Sequence, residues 1–365
     1  MWVFPTSMRP VARRLVVVAL AAIAVVAGFA GGWIAHAPPP APGTHTLAIL
    51  AAGSLAPTGL LPALALEFAA QTPGVSAPVS AQLYEGSNAA ATALAGGGQP
   101  YDLFVSADFR VIPTHLEPPA SGAASWEIVF AADPLVLAYD ARLPAFANVN
   151  STNWYQKIVA PGVVLGTPNA SADPLGAAAI LALELEDAQE GLGGALYAHF
   201  FSGPQGGFAT PTASTRYVAE NVAQTALATG EVGAYLIYRS YAVVDHLSYV
   251  PLAGQVDLGS IDPTNVSRYA QAVTTVLSGS TQAVVHGAPS LFALTVPSTA
   301  PDAVLGVAFA AFLLSNATSA LWAADGFVPI HPAFADHPSS VPAALSGTAP
   351  DPIVPLPADL AALLG

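Results

Sequence analysis

The chain contains no cysteine, which removes disulfides, thiolate metal sites and cysteine nucleophiles together, and with them the acceptor for a bacterial lipoprotein anchor. Charge is nearly as scarce, at 9% of the residues. Nine basic residues face 23 acidic ones, a net charge of -14, and the basic ones are scattered rather than clustered. Such a surface has no footprint for neutralising phosphates, and nucleic acid is excluded as a partner. No Walker sequence, dinucleotide fingerprint or paired acid motif with a clear partner occurs, and Ser54 in Ala52-Gly-Ser-Leu55 lacks the second glycine of a nucleophile elbow. The eight histidines show no HxxxH spacing, which disfavours a divalent-metal receptor. An enzyme is therefore not expected.

What is abundant is apolar sequence, 53% of the chain. Part of it is N-terminal: Arg9, Arg13 and Arg14 precede an uncharged run from Leu15 to Ala35. As a helix that run would reach roughly 30 Å, enough for the hydrocarbon core of a bilayer, and its basic flank predicts export of the rest of the chain. Ala35-His36-Ala37 has the small-x-small pattern of a signal peptidase site but is followed at once by Pro38-Pro-Pro40. Residues 1–36 are thus either a signal peptide or an uncleaved anchor, and 37–44 a Pro-rich linker. N-x-S/T tripeptides at Asn150, Asn169, Asn265 and Asn316 are possible glycan positions for an exported chain.

About 320 residues remain, enough for two lobes. From His45 the pattern alternates: a β-like run ending in Gly53-Ser54, apolar residues at helical spacing from Leu60 to Phe68, a strand-like Val75 to Tyr84 running into Glu85-Gly86-Ser87, an Ala-rich helix, then the short strand Asp102 to Ser106. Trp126 to Tyr139 reads as two further strands. Later segments read as Val163 to Leu165 (strand), Pro174 to about Glu186 and about Tyr217 to Thr229 (helices), Val232 to Tyr238 (strand), Val284 to Val296 (returning strand) and Ala303 to Leu314 (helix). Repeated strand, turn and helix units predict an α/β fold of mainly parallel sheets flanked by helices, in which ligands sit outside the carboxyl ends of the strands. We expect 45–130 and 284–336 in one lobe, 131–283 in the other, and 337–365 as a surface tail.

At the turns, Ser54 and Ser87 stand where a strand ends and a helix begins; each can cap its helix or turn its hydroxyl and backbone N–H toward an anion. Asp173-Pro174 has the form of an N-cap with proline at N1. Glu220 is early in a helix, where the dipole favours a carboxylate whatever its function. Arg239 could pair with an acid across the lobe boundary, Ser240 could cap the next element, and Glu231 reads as a surface residue.

Asp102-Leu-Phe-Val-Ser-Ala-Asp-Phe109, taken with Ala52-Gly-Ser-Leu55, Asn153-Trp-Tyr155, Val129-Phe130, Leu135 to Tyr139, Pro168-Asn169 leading to Asp173-Pro-Leu-Gly176, Ile237-Tyr-Arg-Ser240 and Gly287 to Pro297, forms an ordered set of blocks. The set resembles the archaeal-type tungstate/molybdate-binding proteins of ABC importers and covers nearly the whole exported portion. The resemblance implies a two-lobed periplasmic-binding-protein fold of type II, a bound tungstate or molybdate oxyanion with no cofactor, delivery to permease subunits, an extracytoplasmic location and a monomer. It implies ligand contacts from Ser54, Ser87, Asp173, Glu220 and Tyr238, with Asp173 and Glu220 bonding the metal centre of the oxyanion itself. The block at Asn169 to Asp173 is longer than the usual form of that family, which leaves open which oxygen it delivers. A receptor for sulfate, phosphate or another small anion is the alternative; a surface adhesion protein would explain the anchor but not the ordered blocks.

Overall fold

The computed structural model describes residues 45–278, 281–346 and 352–364, so the N-terminal signal or anchor and the Pro-rich linker lie outside the described residues. The chain begins as its pattern predicts except at Val75 to Tyr84, which is divided: Val75–Ser76 pairs with His45–Thr46, a 3-10 turn follows at Val79–Ala81, and a separate strand starts at Gln82. Ile49–Ala52 (β1), Leu60–Gln71 (α1), Gln82–Glu85 (β2), Ser87–Ala95 (α2) and Leu103–Ser106 (β3) come in order, and β1 pairs in parallel with both β2 and β3. Ile128–Ala132 (β4) and Leu135–Tyr139 (β5) form one apolar run divided only by Asp133-Pro134. β4 stays with the first sheet and β5 enters a second one.

That second sheet takes in Leu165–Thr167 (β6), Thr215–Tyr217 (β7), Ala234–Tyr238 (β8) and Tyr249–Pro251 (β9), in the order β7-β6-β8-β5-β9. Its helices include Pro174–Glu190 (α3), Ala223–Thr229 (α4) and Arg239–Val244 (α5). The segment expected to return as one strand from Val284 divides. Val273–Ser278 (β10) and Thr281–His286 (β11) form an antiparallel hairpin, and only Leu291–Thr295 (β12) enters the first sheet. Ala303–Leu313 (α6), Asn316–Ala324 (α7), Val328–Ala335 (β13) and Val354–Pro355 (β14) complete that sheet, whose order is β14-β13-β4-β12-β3-β1-β2. The Pro-rich end does more than wrap the surface, since Val354 pairs with Phe334 and Leu360 is buried.

Two sheets with separate cores make the two-lobed α/β fold. One face of the first sheet packs on Leu64, Phe68, Phe309 and Trp322, the other on Phe104, Phe109 and Ile112. The second lobe closes around Trp154, Leu175, Tyr235 and Ile237. Strands covered on both faces read as continuous apolar runs, which is why all four residues of β3 are buried. The sheets are mixed rather than mainly parallel. β12 enters its sheet from the junction between the lobes while β3 and β4 run toward it, so β12 is antiparallel to both. β5 likewise runs away from the junction and is antiparallel to β8.

Every strand end that matters for a ligand consequently points at the same gap. Leu135, the first residue of β5, is opposite Tyr238, the last of β8, while Leu291 is opposite Ala132. The conspicuous Asp102 anchors this arrangement from the other end of β3. Its side chain is fully buried and accepts the Ala48 N–H at 2.8 Å and the Asp302 N–H at 2.8 Å, tying the start of β1 and the N-cap of α6 to β3. A buried N–H without an acceptor costs about 1 to 3 kcal/mol, so Asp102→Ala, which orphans two, should lower the unfolding free energy by roughly 2 kcal/mol or more, read by urea denaturation.

Candidate functional site

Three turns of the first sheet converge at the gap. β1 runs into the single 3-10 turn Gly53–Leu55, where Gly53 stands beside the backbone of Glu85, its Cβ position at an ordinary contact distance of 3.7 Å from that carbonyl. The next turn leads into α2, and the hydroxyl oxygen of Ser87 accepts the Ala107 N–H at 3.1 Å from the third turn, after β3. Neither serine serves as a helix cap. The N-cap of α1 is Gly59 and that of α2 is Gly86, with no side-chain cap bond at either. The hydroxyl of Ser54 is buried without a hydrogen-bond partner, and the first N–H groups of α2 have no intrahelical acceptor. Both serines are partly buried at the gap rather than committed to their helices.

The second sheet supplies the opposite wall. After β6, the Pro168–Asp173 loop folds on itself: the Asn169 carbonyl accepts the N–H groups of Ala172 and Asp173, and the Asn169 side chain accepts that of Ser171. Asp173 caps α3 through a 2.9 Å bond from the Leu175 N–H, as the Asp-Pro pair predicts. Only glycine fits at position 176, because a Cβ there would lie 2.4 Å from the Pro168 carbonyl oxygen and 2.6 Å from the Ala170 nitrogen.

Glu220 is placed differently from expectation. The stretch from Tyr217 is not one helix but the end of β7, a 3-10 turn at Glu220–Val222, and only then α4. Its carboxylate is therefore held in a separate turn, and one oxygen is buried without a partner. Burial first, then the negative charges of Asp173 and Asp133, push its pKa up to about 8, against a bond from the Tyr241 hydroxyl that opposes the rise. Burial also raises the pKa of Asp173, and burial followed by Glu220 raises that of Tyr238. Asp173, Glu220 and Tyr238 thus occupy one electrostatic neighbourhood.

Several participants carried no clear signal in the sequence. Asp133 is buried at the strand junction, accepts the Ser240 N–H at 3.1 Å and its hydroxyl at 2.5 Å, and is pushed up to about 7 by burial. Ser240 is therefore a donor to Asp133, and α5 takes Tyr238 as its N-cap. Arg239 does cross the lobe boundary, but its guanidinium donates to the carbonyls of Gly326 and Phe327. Arg110, paired with Asp108 at 2.8 Å, is close enough for its charge to act on Tyr238 in the other lobe. An arginine two residues beyond an acid just past a strand end was the available signal for it. Glu231 is exposed before β8, at the end away from Tyr238. The Asn153-Trp-Tyr block serves the core: Trp154 is fully buried there, and Tyr155 donates to Glu190 at 2.9 Å.

The strand ends of the two lobes meet at this cluster of polar side chains. Residues 47–328 match the family of bacterial extracellular solute-binding proteins. The chain belongs to that family. Its members bind solutes rather than transform them, and the enzyme reading falls on that ground. A solute-binding protein of Methanoculleus marisnigri, described as uncharacterized, is 28% identical over 303 residues, which cover 79% of this chain and 82% of that one. The molybdate/tungstate-binding protein of Thermococcus kodakarensis is 23% identical over 232 residues, 59% of this chain and 62% of its own. Among solved structures, the substrate-binding domain of an ABC transporter from Clostridium difficile, described as a molybdenum transporter, aligns with a TM-score of 0.51 at 15% identity, over 78% of this chain and 99% of that one. That last likeness shows the fold.

Two substitutions separate the roles at this site. Ser54→Ala removes a buried hydroxyl with no partner, so stability in urea should be unchanged or slightly higher. Gly176→Ala should cost about 1 to 3 kcal/mol through overpacking of the Pro168–Ala170 backbone, measured the same way.

Proposed function

We propose that this protein captures tungstate or molybdate in the gap between its lobes and delivers it to the permease of an ABC importer. The observation that carries the reading is the pairing of two carboxylates, Asp173 and Glu220, beside Tyr238 in a gap whose facing wall offers serine hydroxyls and the free N–H groups of a helix start. For an ordinary tetrahedral dianion that pairing is adverse. Like charges about 4 Å apart cost about 1 kcal/mol even at the dielectric of water, and more in a closed cleft. The pairing makes sense where the carboxylate oxygens become ligands. Tungsten and molybdenum accept two further oxygens beyond four; sulfur in sulfate has no comparable tendency, and the site would exclude it.

The roles divide between the two walls. Ser54, Ser87 and the first turn of α2 hydrogen-bond the oxo groups, with the helix dipole favouring negative charge. Asp173 and Glu220 bond the metal centre, and the Tyr238 hydroxyl completes the shell. Arg110 brings compensating charge from the first lobe when the lobes close. No separate cofactor is required. The protein would act as a monomer outside the cytoplasm, with residues 1–36 as its export signal or membrane anchor. The name carried by the Thermococcus kodakarensis relative supports this ligand class.

Proton linkage distinguishes coordination from simple anion trapping. With its pKa at about 8 rather than its ordinary 4.5, Glu220 in the ligand-free protein keeps a proton that the unfolded chain has already released over that window. Two consequences have definite signs. Stability of the ligand-free protein should fall as pH rises from about 4.5 to about 8, and Glu220→Gln should flatten that slope. Coordination by the Glu220 carboxylate must expel the proton, so tungstate affinity should rise with pH up to about 8, by at most tenfold per unit. Titration calorimetry at pH 6.5 in buffers of different ionisation enthalpy should report proton release; proton uptake, or none, would sink direct coordination by Glu220.

The primary test is calorimetric titration of residues 45–365 with tungstate, molybdate and sulfate separately. Binding of the first two without sulfate is expected, with Ser54→Ala and Tyr238→Phe each weakening it about tenfold, the loss of roughly one hydrogen bond. Sulfate binding as tight as tungstate would establish a neutral anion site instead.

A further inference from the structure

A second polar cluster lies in the first lobe at the start of β4, the end opposite Asp133. Glu127 immediately precedes β4, and its backbone N–H donates to Asp336 Oδ1 at 2.8 Å just beyond β13. Asp336 Oδ2 is 2.9 Å from His337 Nδ1, and the same nitrogen is 3.2 Å from Glu117 Oε2. One ligand atom from each of Glu117, Asp336 and His337 lies within 4.8 Å of the others. The Asp336 side chain is 3% exposed and that of Glu117 5%, whereas the His337 ring is 59% exposed and forms the open side.

The independent observation is Glu127. It is fully buried, and neither of its carboxylate oxygens has a hydrogen-bond partner. Its backbone bond to Asp336 makes it the cluster's neighbour, and the charges of Asp336 and Glu117 act on its carboxylate. The Glu117 oxygen not facing His337 is also buried and unpartnered. Among the described residues no lysine or arginine pairs with Glu117, Glu127 or Asp336; the nearby Asp108 already holds Arg110. Buried carboxylates without partners are strongly unfavourable unless a cation, a proton or donors compensate them, and metal coordination is one of the recurrent solutions. None of these residues takes part in the interlobe site.

The geometry points to a metal site here: Glu117, Asp336 and His337 bind one divalent first-row metal ion through two carboxylate oxygens and a single imidazole nitrogen, with the buried Glu127 as their neighbour. Two acids and one imidazole suit zinc or manganese, whereas calcium and magnesium take oxygen shells in which His337 has no place. Asp336 and His337 are adjacent in sequence and Glu117 is far from both, so the set matches no helical ligand spacing. Its position at a β4–β13 strand pair means that the ion would join the N-terminal part of the lobe to its C-terminal strand. The inference is independent of the oxyanion reading.

The test uses the exported chain, residues 45–365, stripped with a chelator and without tungstate. Zinc, manganese, calcium and magnesium are titrated separately by calorimetry, with thermal melting in parallel. Expected are one zinc or manganese ion per chain, a raised melting temperature, and calcium and magnesium binding at least tenfold weaker. His337→Ala, at an exposed position that should not disturb folding, is expected to weaken zinc binding at least tenfold and to leave tungstate titration unchanged. Asp336→Asn should remove zinc binding and its thermal shift. Absence of binding by zinc and manganese overturns the proposal, as does zinc or manganese binding that survives both substitutions. Calcium binding equal to zinc and indifferent to His337→Ala would overturn the assignment of the imidazole.

Discussion

The two lobes are held in relation to one another by a buried carboxylate at the point where one apolar run changes sheets. Asp133 receives both the backbone N–H and the hydroxyl of Ser240, while its own N–H donates to the Ser290 carbonyl at 3.0 Å. The outgoing strand, the returning strand and the first turn of α5 are therefore fastened at one residue. Pro134 beside it donates no hydrogen bond, accepts the Arg239 N–H at 2.9 Å, and packs so tightly on Gly259 that a Cβ there would lie 2.4 Å from the proline Cβ. Polar groups of this density are costly to bury, and they are tolerated because almost every donor and acceptor in the knot is matched.

Scarcity of charge gives this knot its reach. Glu220, Asp133 and Asp173 all have raised pKa values, with burial the leading cause in each and the hydrogen bonds they accept opposing the rise. Two cations are close by: Arg239, whose charge acts on Asp133, and Arg110, which is paired with Asp108.

The alternation of strands and helices was legible because each element keeps its period and its punctuation: Pro174 opens α3 after Asp173, and Gly230 closes α4 in the left-handed conformation. The turns carrying Ser54, Ser87 and Asp173 were legible for the same reason. Strand direction was not. Whether β12 runs with or against β3 depends on which lobe the chain is coming from, and a local apolar pattern is identical in both cases. The break before Glu220 was also hidden, since Tyr217 to Thr229 has a composition that suits either a helix or a strand followed by a short turn. Asp133 looked like an interruption between strands; its partner, Ser240, is 107 residues away and no spacing connects them.

Tyr238, Arg239 and Ser240 are three consecutive residues with three different addresses. The first faces the gap, the second grips the carbonyls of Gly326 and Phe327 in the first lobe, and the third is bound to the strand junction. The switch from β8 to α5 falls at this tripeptide, so the backbone has little slack with which to absorb a displacement of any one of them. The buried carbonyls of Gly326 and Phe327 are thereby joined to the position of Tyr238 by one arginine and its own backbone rather than by a long chain of side-chain contacts.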